Sequence, residues 1–302
     1  MKVGVQLPEV ERPVRWPELR EMALTAERIG LDSVWVGDHL LYRDDGHPPR
    51  GPWEAWSQLA ALAALTERVE LGPLVAATSF HAPAMLAKKA ATVDEISGGR
   101  LILGLGAGWN RPDYDAFGFP YDHRVSRFAE AFEIIRRLLE TGHCDFHGTY
   151  YDVDRAELLP AGTRPGGPPL MVGSIGERML SLTLPHVAAW NAWYDWFGNS
   201  VEGYRPVRDQ VDAACRAAGR DSAAVERTVA LLVTFTDAEG RQGGDVAEPD
   251  LATIAGDPDT LGSVLRAFAA EGVGHVQLVL DPITVETIEA LAPTISAVRG
   301  GD

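Results

Sequence analysis

Strand and helix signals alternate along this chain from its first residues to its last, which leaves few folds open to it. Short apolar runs predict strands, and apolar residues spaced three and four apart predict the helices between them. The predicted strands are residues 3–7, 33–37, 69–77, 101–105, 169–173, 187–190, 229–234 and 275–280. The predicted helices are residues 16–29, 54–66, 83–96, 124–140, 177–184, 201–217, 259–270 and 285–298.

These segments make eight strand–helix units, and eight such units typically close into a TIM barrel of about 250 residues. The remaining length falls in insertions at 41–52, 109–123, 141–168 and 236–257, which we expect at the mouth. Residues 145–153 predict a small hairpin. An open doubly wound sheet is the alternative architecture. Because the units are regular and no shift in composition marks a boundary, we predict a single α/β domain over residues 1–302. This domain is a TIM (β/α)8 barrel with insertions at its C-terminal mouth.

The chain is strongly acidic, with 27 Lys and Arg against 43 Asp and Glu and a formal charge of −16. This balance disfavours nucleic acid and anionic membranes as partners, and it requires local groups to hold any anionic ligand. No apolar segment approaches the ~20 residues of a membrane span, and the N-terminal residues predict a strand, not a signal peptide. Cys144 and Cys215 stand far apart without metal-ligand spacing, so we expect a reduced, cytoplasmic protein with no metal site.

A glycine-rich segment, Gly104-Leu-Gly-Ala-Gly108, ends the fourth predicted strand and is followed by Trp109 and Asn110. A Rossmann fingerprint would open directly into a helix, whereas we expect Trp109, Asn110 and Pro112 to interrupt one here. The glycines indicate either room for a flat ligand close to the backbone or a tight corner of the barrel.

Asp38 and His39 directly follow the second predicted strand, where a barrel places side chains in its mouth. A histidine in that position titrates near neutrality and can exchange a proton with a ligand. The pair is therefore the candidate catalytic group. The plainer alternative is that Asp38 caps a turn and His39 is a hydrogen-bonded polar residue.

A second polar turn, Gly173-Ser-Ile-Gly176, precedes the helix predicted to begin at Glu177. Free backbone N–H groups and the helix dipole favour an anion at such a turn, Ser174 adds a hydroxyl, and Arg178 could add charge. Arg124 and Arg127 are further candidates for contact with a ligand near the mouth. The alternative is a plain loop with a helix cap.

Aromatic residues cluster after the sixth predicted strand. They either wall a pocket for an apolar ring or pack against one another in a loop. The cluster comprises Trp190, Trp193, Tyr194, Trp196 and Phe197.

Several motifs together resemble the luciferase-like monooxygenase superfamily, and especially its branch that uses the deazaflavin coenzyme F420. The most specific are Ser97-Gly-Gly-Arg-Leu101 and Gly106-Ala-Gly-Trp-Asn110 in combination. The resemblance covers nearly the whole sequence, including residues 30–39, 69–75, 86–100, 103–110, 117–120 and 168–173.

The resemblance implies that the cofactor lies in the C-terminal mouth of the barrel, with His39 beside its reactive ring. It implies a bulge in the third strand near Val75 and Ala76, often with a non-proline cis peptide, that supports the ring from behind. It also implies that the glycine-rich segment lines the ribityl chain and that the polar turn holds phosphate. The candidate cofactor-binding residues are Val75, Ala76, Gly106, Ala107, Gly108, Trp109, Asn110, Gly173, Ser174, Ile175, Gly176 and Trp190.

Three positions depart from the pattern of the superfamily. Ala188 replaces an acidic residue, Ser174 replaces the second glycine of the phosphate turn, and Arg111 stands where an acidic residue is common. The phosphate end is therefore the part of the site that the resemblance defines least, and Arg111 could compensate for lost contacts there.

The resemblance implies an F420-dependent oxidoreductase that transfers a hydride between the deazaflavin and a small organic substrate. The alternatives are an FMN-dependent luciferase-like monooxygenase and a non-catalytic flavin-binding protein. The short length of the chain favours the deazaflavin over FMN. We expect a small-molecule substrate and a homodimer.

Overall fold

The wall of the barrel is a ring of parallel strands, seen in a computed structural model that describes residues 1–43, 45–236 and 252–300. The strands follow the order β3-β2-β1-β12-β10-β9-β8-β5-β4. Because β3 and β4 are two parts of one broken strand, the wall has eight strand positions. A parallel bridge between Leu71 and Leu101 joins β3 to the segment before β5 and closes the ring. The predicted TIM barrel is confirmed.

The strands of the structure lie close to the predicted ones. They are β1 (Lys2–Gln6), β2 (Ser33–Val36), β3 (Glu70–Pro73), β4 (Ala76–Ala77), β5 (Leu103–Gly106), β6 (His143–His147), β7 (Asp152–Glu157), β8 (Leu170–Gly173), β9 (Ala189–Ala192), β10 (Glu226–Thr234), β11 (Ile254–Ala255) and β12 (Val273–Asp281). The short strand β11 pairs with β10 outside the ring. Strands β6 and β7 form the antiparallel hairpin that was predicted within residues 145–153.

The helices cover the outside of the wall. They are α1 (Trp16–Arg28), α2 (Ala55–Leu65), α3 (Pro83–Ser97), α4 (Arg111–Phe117), α5 (Arg124–Thr141), α6 (Glu177–Thr183), α7 (Val201–Ala217), α8 (Pro258–Ala270), α9 (Val285–Glu289) and α10 (Ala292–Arg299). None of the helices in the described ranges is long and apolar enough to cross a membrane.

Local sequence signals explain where several helices begin and end. The side chain of Glu54 accepts hydrogen bonds from the backbone N–H groups of Trp56 and Ser57, which caps the start of α2. Helix α3 begins at Pro83 and ends where Gly98 adopts a left-handed conformation with φ of 67°. The first cap lies in the loop that leads from β2 at the mouth, and the second lies in the loop that leads into β5 at the opposite end of the barrel.

Three parts of the prediction are wrong in detail. The third strand, predicted as residues 69–77, is broken between β3 and β4, where the Leu74–Val75 peptide is cis. The last predicted helix, 285–298, is divided into α9 and α10. The segment 109–123, predicted as a loop without a helix, contains α4, because Pro112 occupies the first turn, where the missing N–H costs nothing. Most of the predicted insertion 236–257 lies outside the described residues.

Candidate active site

A cavity of about 440 Å³ opens at the carboxyl ends of the barrel strands. This is the end at which TIM barrels hold their ligands, and the volume suits a small organic molecule. It is lined by Gln6, Glu9, Asp38, His39, Tyr42, Leu74, Val75, Ala77, Phe80, Gly106, Ala107, Gly108, Trp109, Arg124, Val125, Gly173, Ser174, Ile175, Gly176, Met179, Asn191, Trp193, Asp195 and Trp196.

The broken third strand presents Val75 to the cavity, and glycines on the neighbouring strands make room for it. A Cβ atom added at Gly104 would lie 2.3 Å from the carbonyl oxygen of Pro73 and 2.9 Å from Cγ1 of Val75. Added at Gly106, it would lie 2.7 Å from Cγ2 of Val75. At Gly173 the corresponding contact with Val75 Cγ1 is 3.2 Å. Thus much of the space that the glycines leave is filled by the valine of the bulge, and not by a ligand alone.

The cis peptide lies one residue before the predicted position near Val75 and Ala76. Val75 lines the cavity, whereas Ala76 is fully buried in β4 and is not among the lining residues. The reason is the alternation of side chains along a strand, which sends neighbouring residues to opposite faces. The prediction that Ala76 contacts a cofactor is therefore not supported by its position.

The segment after β5 is shaped by Tyr114 on α4. Gly108 has a φ of 75°, and a Cβ there would lie 2.0 Å from the Tyr114 hydroxyl oxygen. That hydroxyl donates a hydrogen bond to the carbonyl of Ala107 at 2.9 Å. Burial raises the pKa of Tyr114 to about 12, so the phenol keeps its proton and its role as a donor.

Asn110 does not line the cavity, in contrast to the prediction. Its amide nitrogen donates to the carbonyl of Leu41 at 2.9 Å and to a carboxylate oxygen of Asp113 at 3.0 Å. Neither Leu41 nor Asp113 is among the lining residues, so both partners draw the amide to the side remote from the cavity. Gly106, Ala107, Gly108 and Trp109 do line it.

Asp38 holds the second half of the broken strand. Its Oδ2 atom accepts a hydrogen bond from the backbone N–H of Ala77 at 2.9 Å and lies 3.0 Å from Nε2 of His81. The side chain is buried, although Asp38 is among the cavity-lining residues. These contacts give Asp38 a structural task, and its part in catalysis stays a prediction.

His39 lines the cavity and is paired with a carboxylate that the sequence did not reveal. Its Nδ1 atom lies 2.8 Å from Oδ2 of Asp113, whose side chain is fully buried, while the His39 side chain is 19% exposed. The imidazole lies 4.9 Å from the ring of Tyr42 and 5.3 Å from that of Trp109, measured between centroids. The pair spans 74 positions in the sequence, so no local pattern could indicate it.

The turn from Gly173 to Gly176 lines the cavity at the end of β8. Trp190 does not line the cavity; its indole is fully buried and donates to the carbonyl of Ser174 at 2.7 Å. Gln210 donates to the carbonyl of Ile175 at 2.9 Å. The predicted cofactor residue Trp190 therefore supports the turn from behind.

The barrel interior beneath the cavity carries buried amides. Asn191 Nδ2 donates to Thr228 Oγ1 at 2.8 Å and to Gln277 Oε1 at 2.7 Å. Gln6 is buried and lines the cavity, and its Oε1 atom has no hydrogen-bond partner among the described residues. A buried polar atom without a partner is costly, so a polar ligand that reaches it would relieve that cost.

The aromatic and basic candidates divide between the cavity and its surroundings. Trp193 and Trp196 line the cavity, and so does Arg124, whose guanidinium lies 3.7 Å from the ring centroid of Tyr121. By contrast, Arg127 pairs with Asp122 away from the lining. Arg111 pairs with Asp115 and does not reach the turn at Gly173, so the suggested compensation by Arg111 is not seen.

Within the described ranges, no three His, Cys, Asp or Glu side chains are grouped to hold a metal ion.

The fold and the cavity define a TIM barrel with an open cavity at the carboxyl ends of the strands, beside a broken third strand and a histidine–aspartate pair. The family model for luciferase-like monooxygenases matches residues 1–242, and the chain belongs to this family.

Individual proteins and solved structures resemble this chain as well. A 5,10-methylenetetrahydromethanopterin reductase from Archaeoglobus fulgidus is 30% identical over 265 residues, which cover 86% of this chain and 72% of the relative. An F420-dependent glucose-6-phosphate dehydrogenase from Amycolatopsis mediterranei is 36% identical over 154 residues, covering 49% of this chain and 45% of the relative. The solved structure of an F420-dependent secondary alcohol dehydrogenase with an F420–acetone adduct superposes with a TM-score of 0.82 at 20% identity, covering 99% of both chains.

Proposed function

We propose that this protein is an F420-dependent oxidoreductase that transfers a hydride between the deazaflavin and a small organic substrate. The observation that carries the proposal is that His39, paired with Asp113, lines a cavity whose wall includes the bulge at Val75. The family match and the two relatives support the reaction class.

The residues present fit such a cofactor. The cavity volume of about 440 Å³ lies in the range of organic ligand sites, and Val75 offers an apolar surface against which a flat ring can pack. Gln6 offers a buried polar atom that lacks a partner in the described part of the chain. The turn from Gly173 to Gly176 and the segment from Gly106 to Trp109 would hold the polar tail.

When bound, a deazaflavin supplies a carbon centre that gives or accepts a hydride. His39 would hold or release the accompanying proton at Nε2, because Nδ1 is committed to Asp113. Tyr42, which is 3% exposed, packs against the imidazole and restricts its rotation. The chain thus contributes orientation and a proton-exchanging group, and the mouth loops select the substrate.

Cofactor identity is tested by titrating the purified protein with F420 and with FMN while following quenching of tryptophan fluorescence. We expect tight saturable quenching by F420 and at least tenfold weaker binding of FMN. Tighter binding of FMN, together with oxygen consumption by the reduced complex, would favour the monooxygenase, an alternative that the family name itself supports.

The role of His39 is tested with the variant His39→Asn, which keeps a donor toward Asp113 but cannot exchange a proton. Oxidation of reduced F420 with a panel of small ketones and enones should fall by about 10²–10⁴-fold. Affinity for F420 should change by less than about threefold, because proton exchange at Nε2 contributes to the transition state and not to binding of the cofactor. His147→Asn, an exposed change on the β6–β7 hairpin, serves as the matched control. Equal turnover in wild type and His39→Asn would reject the role, and no turnover in either would favour a non-catalytic flavin-binding protein.

We further propose a cytoplasmic homodimer. Cys144 and Cys215 are both free and buried, which suits a reducing compartment. Two-fold symmetric dimers are the commonest oligomers among soluble proteins. Sedimentation that shows only monomers at micromolar concentration would refute the dimer.

A further inference from the structure

We propose that Asp113 is the positioning residue of His39, and that it fixes the imidazole in the tautomer that carries its proton on Nδ1. Nε2 is then the nitrogen that exchanges a proton on the cavity side. The use of that nitrogen in catalysis rests on the proposed function, whereas the location of the proton does not.

The two oxygens of Asp113 have separate partners. Oδ1 accepts hydrogen bonds from the backbone N–H groups of Leu40 at 3.0 Å and Leu41 at 2.6 Å. Oδ2 lies 2.8 Å from Nδ1 of His39 and 3.0 Å from Nδ2 of Asn110. One carboxylate therefore binds the loop after β2 at three consecutive residues and keeps the imidazole in a defined place.

The donors around Asp113 determine which atoms carry protons. Backbone N–H groups and an amide NH₂ can only donate, so both carboxylate oxygens act as acceptors. The orientation of the Asn110 amide is independently fixed, because the same nitrogen also donates to the carbonyl of Leu41 at 2.9 Å. A carboxylate that accepts from every other neighbour also accepts from His39, and Nδ1 must then carry the proton.

Asp113 is placed by α4, which lies inside the insertion at 109–123. It stands in the first turn of that helix, three residues after Asn110, and its side chain is fully buried. Asn110 therefore acts as a clamp that joins α4 to the loop of His39. This explains why Asn110 is buried away from the cavity although the neighbouring residue, Trp109, lines it.

The substitution Asp113→Asn gives a sharp test. The amide oxygen of the new side chain is expected to stay at the position of Oδ1, where two backbone N–H groups require an acceptor. The amide NH₂ then faces His39 and turns Nδ1 from a donor into an acceptor, while Asn110 loses its bond to this side chain and keeps its bond to the carbonyl of Leu41. We therefore expect the neutral ring to change from the Nδ1–H to the Nε2–H tautomer.

The measurement is ¹⁵N–¹H correlation NMR of the full-length protein with ¹⁵N-labelled histidine, at a pH where the ring is neutral. The chain has 8 histidines, and the signal of His39 is identified by its absence in His39→Asn. Wild type should show a protonated Nδ1 and an unprotonated Nε2. Asp113→Asn should show the reverse, and this readout requires no substrate.

Asp115→Asn is the matched control, because Asp115 lies on the same helix but is exposed and pairs with Arg111. It should leave the His39 signals unchanged. Asn110→Ala provides a second variant; it should keep the Nδ1–H tautomer while broadening the His39 signals, since the clamp is lost. F420 quenching in each variant reports whether the cavity remains intact.

A wild-type ring protonated on Nε2, or an unchanged tautomer in Asp113→Asn with F420 binding retained, would overturn the inference. If the tautomer inverts as expected but wild type turns over neither reduced F420 nor reduced FMN, the positioning role holds and the proposed function fails. The two claims can thus be separated.

Discussion

His275 shows how a single buried side chain makes the stability of the barrel depend on pH. Its Nε2 atom lies 2.7 Å from Oγ of Ser33, which in turn accepts a hydrogen bond from the indole N–H of Trp35 at 2.7 Å. Ser33 Oγ therefore links the imidazole of His275 to the indole of Trp35 inside the barrel. Burial lowers the pKa of His275 from its ordinary value of 6.5 to about 3.

This pKa shift predicts acid sensitivity. Between about pH 6.5 and pH 3 the unfolded chain binds a proton that the folded chain does not, so stability falls as the pH drops. Between about pH 6.5 and pH 5, the free energy of unfolding of His275→Gln should fall by about 2 kcal/mol less than that of wild type. Urea unfolding at each pH measures this difference. His47→Gln, at an exposed loop position, should keep the wild-type dependence. Identical pH dependence in His275→Gln and wild type would contradict the assignment.

Gly104 offers a second prediction at the scale of one residue. An added Cβ would meet the backbone carbonyl of Pro73 at 2.3 Å, and backbone yields less than a flexible side chain. Gly104→Ala should therefore lower the free energy of unfolding by about 1–3 kcal/mol. Gly162→Ala, where no atom lies within 4 Å of the added Cβ, should change it by less than about 0.5 kcal/mol. Denaturant unfolding checks both, and equal stabilities would show that the strands yield at no cost.

At the scale of elements, the polar turn after β8 depends on its neighbours for its shape. Trp190 on β9 and Gln210 on α7 each donate to a carbonyl of the turn, so two elements fix the backbone that faces the cavity. The turn is followed by α6, which has only seven residues. Its conformation is therefore set mainly by tertiary hydrogen bonds.

Because Trp190 supports the turn through one hydrogen bond, removing that bond should weaken cofactor binding while the protein stays folded. Trp190→Phe keeps an aromatic ring in the buried position but removes the donor to Ser174. Affinity for F420 should fall by roughly 5- to 10-fold, since one hydrogen bond contributes about 1 kcal/mol. Trp16→Phe, at a half-exposed position on α1, should bind normally. Unchanged affinity in Trp190→Phe would show that the turn does not need this bond.

The pattern of apolar residues was sufficient to predict the barrel strands, because each strand is a local run buried on the wall. The break in the third strand was not visible in that pattern, since residues 74 and 75 are as apolar as their neighbours. It came from the resemblance, which placed it one residue late. Asp113 could not be found in the same way, because its partner His39 lies 74 positions away and only the folded barrel brings the two together. The glycines were predicted to leave room beside the backbone, but the side chains that occupy it, Val75 and Tyr114, lie outside the glycine-rich segment and could not be named from it.

At the scale of the whole molecule, a net charge of −16 means that the overall field opposes an anionic cofactor. Binding then depends on the groups around the cavity, where Arg124 lies among several acidic side chains. The prediction that residues 1–302 form one domain stays a prediction, as do the compartment and the dimer.

Ligand binding should nevertheless raise the stability of the whole chain. F420 at 100 times its Kd should raise the free energy of unfolding by about 2.7 kcal/mol. For a chain of 302 residues this corresponds to a rise in Tm of roughly 4 °C. FMN at the same concentration should give a smaller shift. Thermal unfolding followed by circular dichroism measures both, with His39→Asn as a variant that should keep the F420 shift. A larger shift with FMN would reverse the choice of cofactor.

The contact of Val75 with three surrounding glycines has a consequence for which substitutions the barrel can accept during evolution. The Val75 side chain occupies the space next to Gly104, Gly106 and Gly173. These glycines therefore cannot be substituted independently of Val75. Replacing Val75 by alanine would open room for a methyl group at Gly106. A Gly106→Ala substitution should therefore be tolerated only after Val75 has become smaller. Gly104 is the exception, because it also faces the carbonyl of Pro73. It should remain a glycine whether residue 75 is valine or a smaller residue.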